Sequence, residues 1–175
     1  MAEGPVVHKH AQRLRQAIEG QKIEVEFGIR KLKPLESTLQ GIRVSLVEAH
    51  GKQIRIHLGD GKVILVHLLM WGSWRIYRKG AAWDRPLDRA RLILRTKTHE
   101  AVAFSAPVVK ILSEDELLNA HEWGSLGPDP LRSDFSSETA RRLLKGQEDR
   151  EIGEVLLDQK VIAGVGNILR IEILF

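Results

Sequence analysis

The stretch "IRIHLGDGKVILVHLL" (residues 54–69) decides the fold. Residues 54–58 alternate between apolar and polar, the pattern of a strand that buries one face. "GDG" at 59–61 is a hairpin turn, and it leads into a second apolar run. The alternation recurs at 42–46, and "RLILRT" (91–96) and "AVAFSA" (101–106) are further strand candidates. Residues 22 to about 111 are therefore predicted to form a β-sandwich of five or more strands.

Helical patterns flank this region on both sides. Apolar residues recur at helical spacing over 5–19, between Pro5 at the start and Gly20 at the end. After Ser113 the sequence "SEDE" is a capping box that opens a short helix. Further helices are predicted over 137–145, over 149–159, and from Asn167, as the N-cap, to the last residue. The fold class is therefore α+β.

A Gly/Pro/Asp-rich segment, "GPDPLRSDF" (127–135), divides the chain. It predicts a β-sandwich domain over 1–127 and a partial helical domain over 134–175, with the boundary near 128–133. The last residues, "RIEILF", are those of an apolar helix, so we expect the chain to be a fragment of a longer protein.

Composition narrows the classes of function. The chain has 27 Lys+Arg against 23 Asp+Glu and no cysteine. The lack of cysteine excludes disulfides, thiolate chemistry and cysteine-ligated zinc within this chain. The first 30 residues are too charged for a signal peptide, and no apolar run approaches the ~20 residues of a membrane helix. We expect a soluble, cytoplasmic protein that does not bind a membrane.

The start of the chain, "MAEGP", brings Glu3 close to a terminal amine. A neutral α-amine attacks an aldehydic or acetal carbon and forms a Schiff base, and a carboxylic acid beside it can protonate the leaving oxygen. Two glycines in "AGVGN" (163–167) favour a sharp turn before the last helix, whose positive end would bind phosphate. A frayed tail and an ordinary helical hairpin are the plain alternatives.

Two further stretches carry candidate binding residues. Lys52 follows Gly51 at the tip of a predicted hairpin, where the plain alternative is a solvated lysine. His67 ends a strand, and Met70 lies in the next turn. These two residues are either ordinary core residues or a phosphate donor and an apolar wedge for a base stack.

Together, "xEGPxxH", the "GK" hairpin tip, "HLxM" before a glycine and "LLDQxxxAGxGNxxRxEIL" resemble the formamidopyrimidine-DNA glycosylase and endonuclease VIII family, over residues 2–175. The start and the "LKP" at 32–34 are more similar to the endonuclease VIII branch. The resemblance implies a base-excision repair enzyme for oxidised bases, with DNA glycosylase and AP lyase activity. It also implies a leading helix, a β-sandwich, a helix–two-turns–helix and a zinc finger, with damaged double-stranded DNA in the cleft between the domains.

The resemblance also assigns roles to residues. Ala2 matches the position of the amino-terminal nucleophile, and Glu3 matches the catalytic proton donor beside the positive end of helix 5–19. Lys52 matches the lysine that contacts phosphate and assists elimination. His67 and Asn167 match positions that contact DNA phosphate. Met70 matches the residue that enters the duplex where the damaged nucleotide flips out.

Two features depart from the family pattern. The family's nucleophile is almost always proline, whereas position 2 here is alanine, whose small size still favours removal of Met1. The zinc finger and most of the second helix of the DNA-binding pair are missing, so no metal site and no cofactor are expected in this chain. A monomeric enzyme is the first reading. A DNA-binding module without chemistry, and a β-sandwich that binds a protein partner, remain as alternatives.

Overall fold

Eight strands form two antiparallel sheets in the computed structural model, which describes residues 2–120 and 123–175. The strands are β1 (Glu24–Phe27), β2 (Val44–His50), β3 (Gln53–Leu58), β4 (Lys62–His67), β5 (Ser73–Arg78), β6 (Ala90–Arg95), β7 (His99–Phe104) and β8 (Val108–Ser113). One sheet has the strand order β1-β6-β7-β5 and the other β2-β3-β4-β8. The apolar faces of both sheets contribute to one buried cluster, which confirms the predicted β-sandwich.

The central hairpin forms where the sequence predicts it. β3 and β4 pair with Ile56 opposite Ile64, and Gly61 takes a positive φ of 80° in the turn. β3 is buried on both faces and not on one, because the chain near Trp123 covers the second face. There the Arg55 guanidinium donates to the Trp123 carbonyl oxygen at 2.9 Å.

Helix α1 (Gly4–Ile18) closes one side of the sandwich. Its bounds differ by one residue at each end from the predicted 5–19. The predicted apolar face is the buried one, because Val7, Ala11 and Leu14 are all fully covered. Gly20, with φ of 74°, ends the helix and turns the chain towards β1.

The α-helices that come after α1 in the described residues are α2 (Glu36–Leu39), α3 (Glu114–Asn119), α4 (Ser137–Lys145), α5 (Ile152–Val155) and α6 (Asn167–Leu174). Short 3-10 turns occupy Arg30–Leu35 and Leu87–Arg89. The predicted capping box opens α3, with Ser113 and Glu116 each bonding the other's backbone. α4 has the predicted bounds.

The helix predicted over 149–159 is wrong in length, because only Ile152–Val155 is α-helical. Gly153 is a poor helix former. Asp158 accepts hydrogen bonds from the Lys160 backbone N–H and the Arg150 side chain, so its carboxylate favours a turn over a continued helix. Within the described residues, no helix is long and apolar enough to cross a membrane.

Candidate active site

Four segments that are distant in sequence meet at one place. The Gly4 N–H donates to the Gly164 carbonyl oxygen at 2.9 Å, and the Ala2 nitrogen donates to the Leu69 carbonyl oxygen at 3.1 Å. Gly51 has φ of 57°, and a Cβ there would lie 3.2 Å from the Gly164 nitrogen. The chain start, the β2–β3 hairpin tip, the loop after β4 and the turn before α6 are therefore in contact.

The Glu3 carboxylate is buried at the start of α6. Its two oxygens accept the backbone N–H groups of Ile168 at 2.8 Å and Leu169 at 3.0 Å, and the residue is 4% exposed. The sequence predicts the positive end of α1 beside this acid, and Glu3 is the N-cap residue of α1, although its side chain makes no capping bond there. The carboxylate instead accepts its hydrogen bonds at the positive end of α6.

The turn before α6 differs in detail from its prediction. Only Gly164 has positive φ, at 94°, whereas Gly166 is extended with φ of −121°. Gly166 is the N-cap of α6, and Asn167 is its first residue and not its cap. A Cβ on Gly166 would lie 2.4 Å from a Glu3 carboxylate oxygen, so the glycine makes room for the acid. The amides predicted to bind phosphate therefore hold Glu3, and the Asn167 side chain is exposed beside them.

Lys52 lies at the hairpin tip as predicted, next to Gly51 and partly buried. Burial lowers the pKa of its amine from the ordinary 10.5, and the Glu3 charge opposes this shift. The charges of Lys52 and Glu3 are thus within electrostatic reach of each other.

His67, at the end of β4, is held as a neutral donor. Burial lowers the pKa of its imidazole, and the neighbouring Lys52 charge lowers it further. Its Nδ1 accepts the Leu69 N–H at 3.2 Å, so the proton of the neutral ring is on Nε2. A neutral imidazole with Nε2–H can donate one hydrogen bond to a phosphate oxygen.

The loop after β4 exposes large apolar side chains. Met70 is 58% exposed and its neighbour Trp71 is 81% exposed. Leu69, just before them, has a positive φ of 48°, which is unusual for a residue other than glycine. The sequence singled out Met70 as a wedge, and the structure adds the larger Trp71 beside it.

Asp129 is a site residue that sequence reasoning missed. Its carboxylate is buried and accepts the His8 Nε2–H at 2.8 Å, the Gly51 N–H at 2.7 Å and the Leu131 N–H at 2.9 Å. Burial raises the pKa of Asp129, but these hydrogen bonds together lower it below the ordinary value. One carboxylate thus joins α1, the hairpin tip that carries Lys52, and the segment before α4.

Gln159 organises the turn in the same way. Its side-chain oxygen accepts the Gly164 N–H at 3.0 Å, and its nitrogen donates to the Val165 carbonyl oxygen at 2.9 Å. In the sequence, Gln159 stands out only as the last residue of the "LLDQ" motif, which does not indicate its role.

No group of three or more His, Asp or Glu side chains that could hold a metal ion occurs in the part of the chain that the structure describes. The chain also has no cysteine. The residues described here therefore do not fit the zinc that the family resemblance implies, and no chemistry is assigned to a metal in this chain.

Comparison with known proteins gives two family matches. Residues 1–107 match the formamidopyrimidine-DNA glycosylase N-terminal domain, and residues 126–175 match the formamidopyrimidine-DNA glycosylase H2TH domain. "Endonuclease 8" of Salmonella schwarzengrund is 33% identical over 178 residues, which cover all of this chain and 67% of that protein. "Probable endonuclease 8 2" of Streptomyces coelicolor is 34% identical over 177 residues and is covered to 63%.

Solved structures agree with these matches. Lactococcus lactis formamidopyrimidine-DNA glycosylase, non-covalently bound to DNA that contains an AP site, superposes with a TM-score of 0.80 at 25% identity. The superposition covers 98% of this chain and 67% of that one. The chain thus spans about two thirds of the length of the proteins it matches.

Proposed function

We propose a function for this chain from its family membership, because it belongs to the formamidopyrimidine-DNA glycosylase and endonuclease VIII family. Members of this family are DNA glycosylases with AP lyase activity in base-excision repair. Its proposed reaction is the removal of an oxidised base from double-stranded DNA, followed by cleavage at the resulting abasic site. The single observation that carries the proposal is the buried Glu3 carboxylate beside the Ala2 nitrogen, held by two amides of α6.

The Ala2 nitrogen is the proposed nucleophile. Once Met1 is removed, this nitrogen is a primary amine, and its hydrogen bond to the Leu69 carbonyl oxygen supports a fixed position. The neutral amine bonds to C1′ of the deoxyribose and the damaged base departs, which leaves a Schiff base after the sugar ring opens. Loss of a C2′ proton then expels the 3′ phosphate.

Glu3 is the proposed proton donor. Opening the sugar ring requires a proton on the ring oxygen, and a carboxylic acid beside the nucleophile can supply it. The two α6 amides fix both oxygens of the carboxyl group, so the acid needs no rearrangement to act. Lys52, within electrostatic reach of Glu3, would assist elimination and hold a phosphate.

The remaining predicted residues would bind the DNA. His67 can donate through Nε2, and the exposed Asn167 amide can reach a phosphate at the start of α6. Met70, with Trp71 beside it, would enter the space that the flipped nucleotide leaves in the stack. We further propose a monomer that works in the cytoplasm on DNA, with domains over 1–127 and 134–175 and a boundary near 128–133.

Borohydride trapping on duplex DNA with an abasic site tests the nucleophile. The wild-type protein is expected to give a covalent complex once mass spectrometry confirms that Met1 is removed. Ala2→Pro is expected to increase the yield, because it restores the family's usual nucleophile. If neither protein is trapped, a DNA-binding module without chemistry is the better account, which the alanine at position 2 favours.

Glu3→Gln tests the acid. We expect base excision to be lost while binding to abasic-site DNA is largely kept, because the amide preserves the shape without the proton. Glu19→Gln is the matched control, since Glu19 also accepts a backbone N–H, from Val47 at 2.7 Å, at the far end of α1. Equal excision rates in the Glu3 and Glu19 variants would remove Glu3 from the mechanism.

A further inference from the structure

A second cavity lies away from the site described above, between α1 and the β5–β7 edge of the sandwich. Its volume is about 320 Å³, at the small end of the range for ligand pockets. The residues on the α1 side begin six positions after Gly4, so the cavity lies about 9–20 Å along the helix from the Glu3 end. Its walls include His10, Arg13, Trp74, Arg75 and His99.

The charged groups in these walls are cationic. Two arginines and two histidines come from α1, β5 and β7, and no carboxylate lines the cavity among the residues that the structure describes. Arg75 has an acidic neighbour outside the cavity, Asp84, at 3.6 Å. Arg13 forms no ion pair within residues 2–120 and 123–175.

His10 lies close enough to both arginines to be affected by their charges. Burial lowers the pKa of His10, and the charges of Arg13 and Arg75, with a smaller effect from Lys9, lower it further. A bound anion would offset these charges and favour the protonated imidazole, which has two N–H donors. Guanidinium groups suit phosphoryl oxygens in particular, because their planar N–H groups match two oxygens at once.

Trp74, which lines the same cavity, has an indole Nε1–H without a hydrogen-bond partner in the described part of the chain. The residue is 3% exposed. Burying such a donor without a partner is unfavourable, so native proteins seldom leave one unsatisfied. The indole nitrogen itself is covered, so a ligand oxygen would reach it only if the Trp74 side chain turned towards the cavity.

We propose that this cavity binds a phosphoryl group, through Arg13, Arg75 and His10 with the Trp74 N–H as an additional donor. The phosphoryl group belongs either to the DNA backbone outside the reaction site or to a small phosphorylated molecule. β5 begins two residues after the exposed Trp71. The strand that lines the cavity therefore directly follows the loop with Met70 and Trp71, which we propose enters the DNA.

Calorimetric titration with inorganic phosphate, at an ionic strength held constant with chloride, tests the proposal. Saturable binding is expected, and Arg13→Gln should weaken it about tenfold, as expected for the loss of a charged hydrogen bond. Arg13 is exposed, so its replacement should leave the thermal midpoint unchanged. Arg30→Gln, an exposed arginine in the first 3-10 turn, is the control with the same loss of charge and should bind phosphate as wild type does.

Trp74→Phe keeps an aromatic ring and removes only the N–H donor, and it should also weaken phosphate binding. Duplex DNA titrations at several salt concentrations distinguish the two sources. If the group is a DNA phosphate, Arg13→Gln lowers the salt slope by about 1 relative to Arg30→Gln. If DNA binding is unchanged while phosphate binding falls, the ligand is a small phosphorylated molecule. Absence of saturable phosphate binding, or equal losses in the Arg13 and Arg30 variants, overturns the proposal.

Discussion

At the scale of single residues, the site depends on one missing side chain. Gly166 has no Cβ where a Cβ would lie 2.4 Å from a Glu3 carboxylate oxygen. Its backbone φ of −121° is open to any residue, so conformational freedom does not explain the glycine. The space itself is the requirement, because the carboxylate must approach the amides of Ile168 and Leu169.

Gly166→Ala is therefore expected to displace Glu3 from α6. The buried carboxylate has little room to move, so we expect a loss of stability of about 1–3 kcal/mol and a larger loss of excision rate. Gly59→Ala is the control, since a Cβ there meets its nearest neighbour at an ordinary 3.5 Å. Single-turnover excision and urea unfolding measure both effects, and a variant with wild-type excision would contradict this role of Gly166.

The same contact shows why the sequence could predict local elements but not the arrangement of the site. The alternation at 54–58 and the capping box at Ser113 are local patterns, and the strand and the cap both formed, although β3 is buried on both faces. The bonds from α6 to Glu3 join residues 165 and 166 positions apart, and no local pattern records them. The sequence consequently placed the acid beside α1 but gave no sign of its hydrogen bonds to α6.

At the scale of elements, Asp129 connects pieces that share no sheet. Through His8, Gly51 and Leu131 it joins α1, the β2–β3 tip and the segment before α4. The Gly/Pro/Asp composition around it predicted a linker, which describes its backbone but not its buried side chain. Composition carries no signal for burial when the partners are distant backbone groups.

Asp129→Asn is expected to loosen the hairpin tip. The amide cannot accept from all three donors, so at least one buried N–H loses its partner, at a cost of about 1–3 kcal/mol. We expect faster hydrogen exchange at the Gly51 amide. We also expect a lower yield of the borohydride-trapped complex with DNA, because Lys52 is carried by the same hairpin tip. Asp134→Asn is the control, because Asp134 is exposed and its side chain pairs only with Arg132 among the described residues. Unchanged exchange at Gly51 would argue against this connection.

At the scale of the whole molecule, a network of charges joins the β-sandwich to the segment that follows it. Glu48 of β2 accepts the Arg132 guanidinium at 2.6 Å and His57 Nε2–H at 3.3 Å. The His57 hydrogen bond, with Arg132 and against the effect of burial, lowers the pKa of Glu48 to about 2. The same bond to Glu48 raises the pKa of His57, against the effect of burial.

These shifts predict a stability optimum in mild acid. Glu48 stabilises the fold above its unfolded value of 4.5, and this contribution is lost as the pH falls towards 2. His57 stabilises the fold below 6.5, and its contribution is lost as the pH rises through its raised pKa. We expect the pair to contribute most between pH 4.5 and 6.5, by roughly 1–3 kcal/mol.

Denaturant unfolding at pH 3, 5.5 and 8 measures this dependence. Glu48→Gln should flatten the acid side of the optimum and weaken the alkaline side, since it removes the acid and one of the two carboxylates that contact His57, the other being Glu114 at 2.6 Å. Glu26→Gln, which breaks an exposed pair with Arg95, should leave the profile unchanged. A Glu48 variant with the wild-type profile would show that other groups set the acid limb.

The hydrogen bonds between Glu3 and α6 can form only late in the synthesis of the chain. Glu3 is among the first residues to leave the ribosome, while Ile168, which donates to it, follows 165 residues later. At about 5–20 residues per second, the acid waits roughly 8–33 s for the helix that will hold it. The carboxylate therefore lacks its two amide donors for most of the time that this sequence takes to be translated. The proposed reaction would become possible only when α6 has been made.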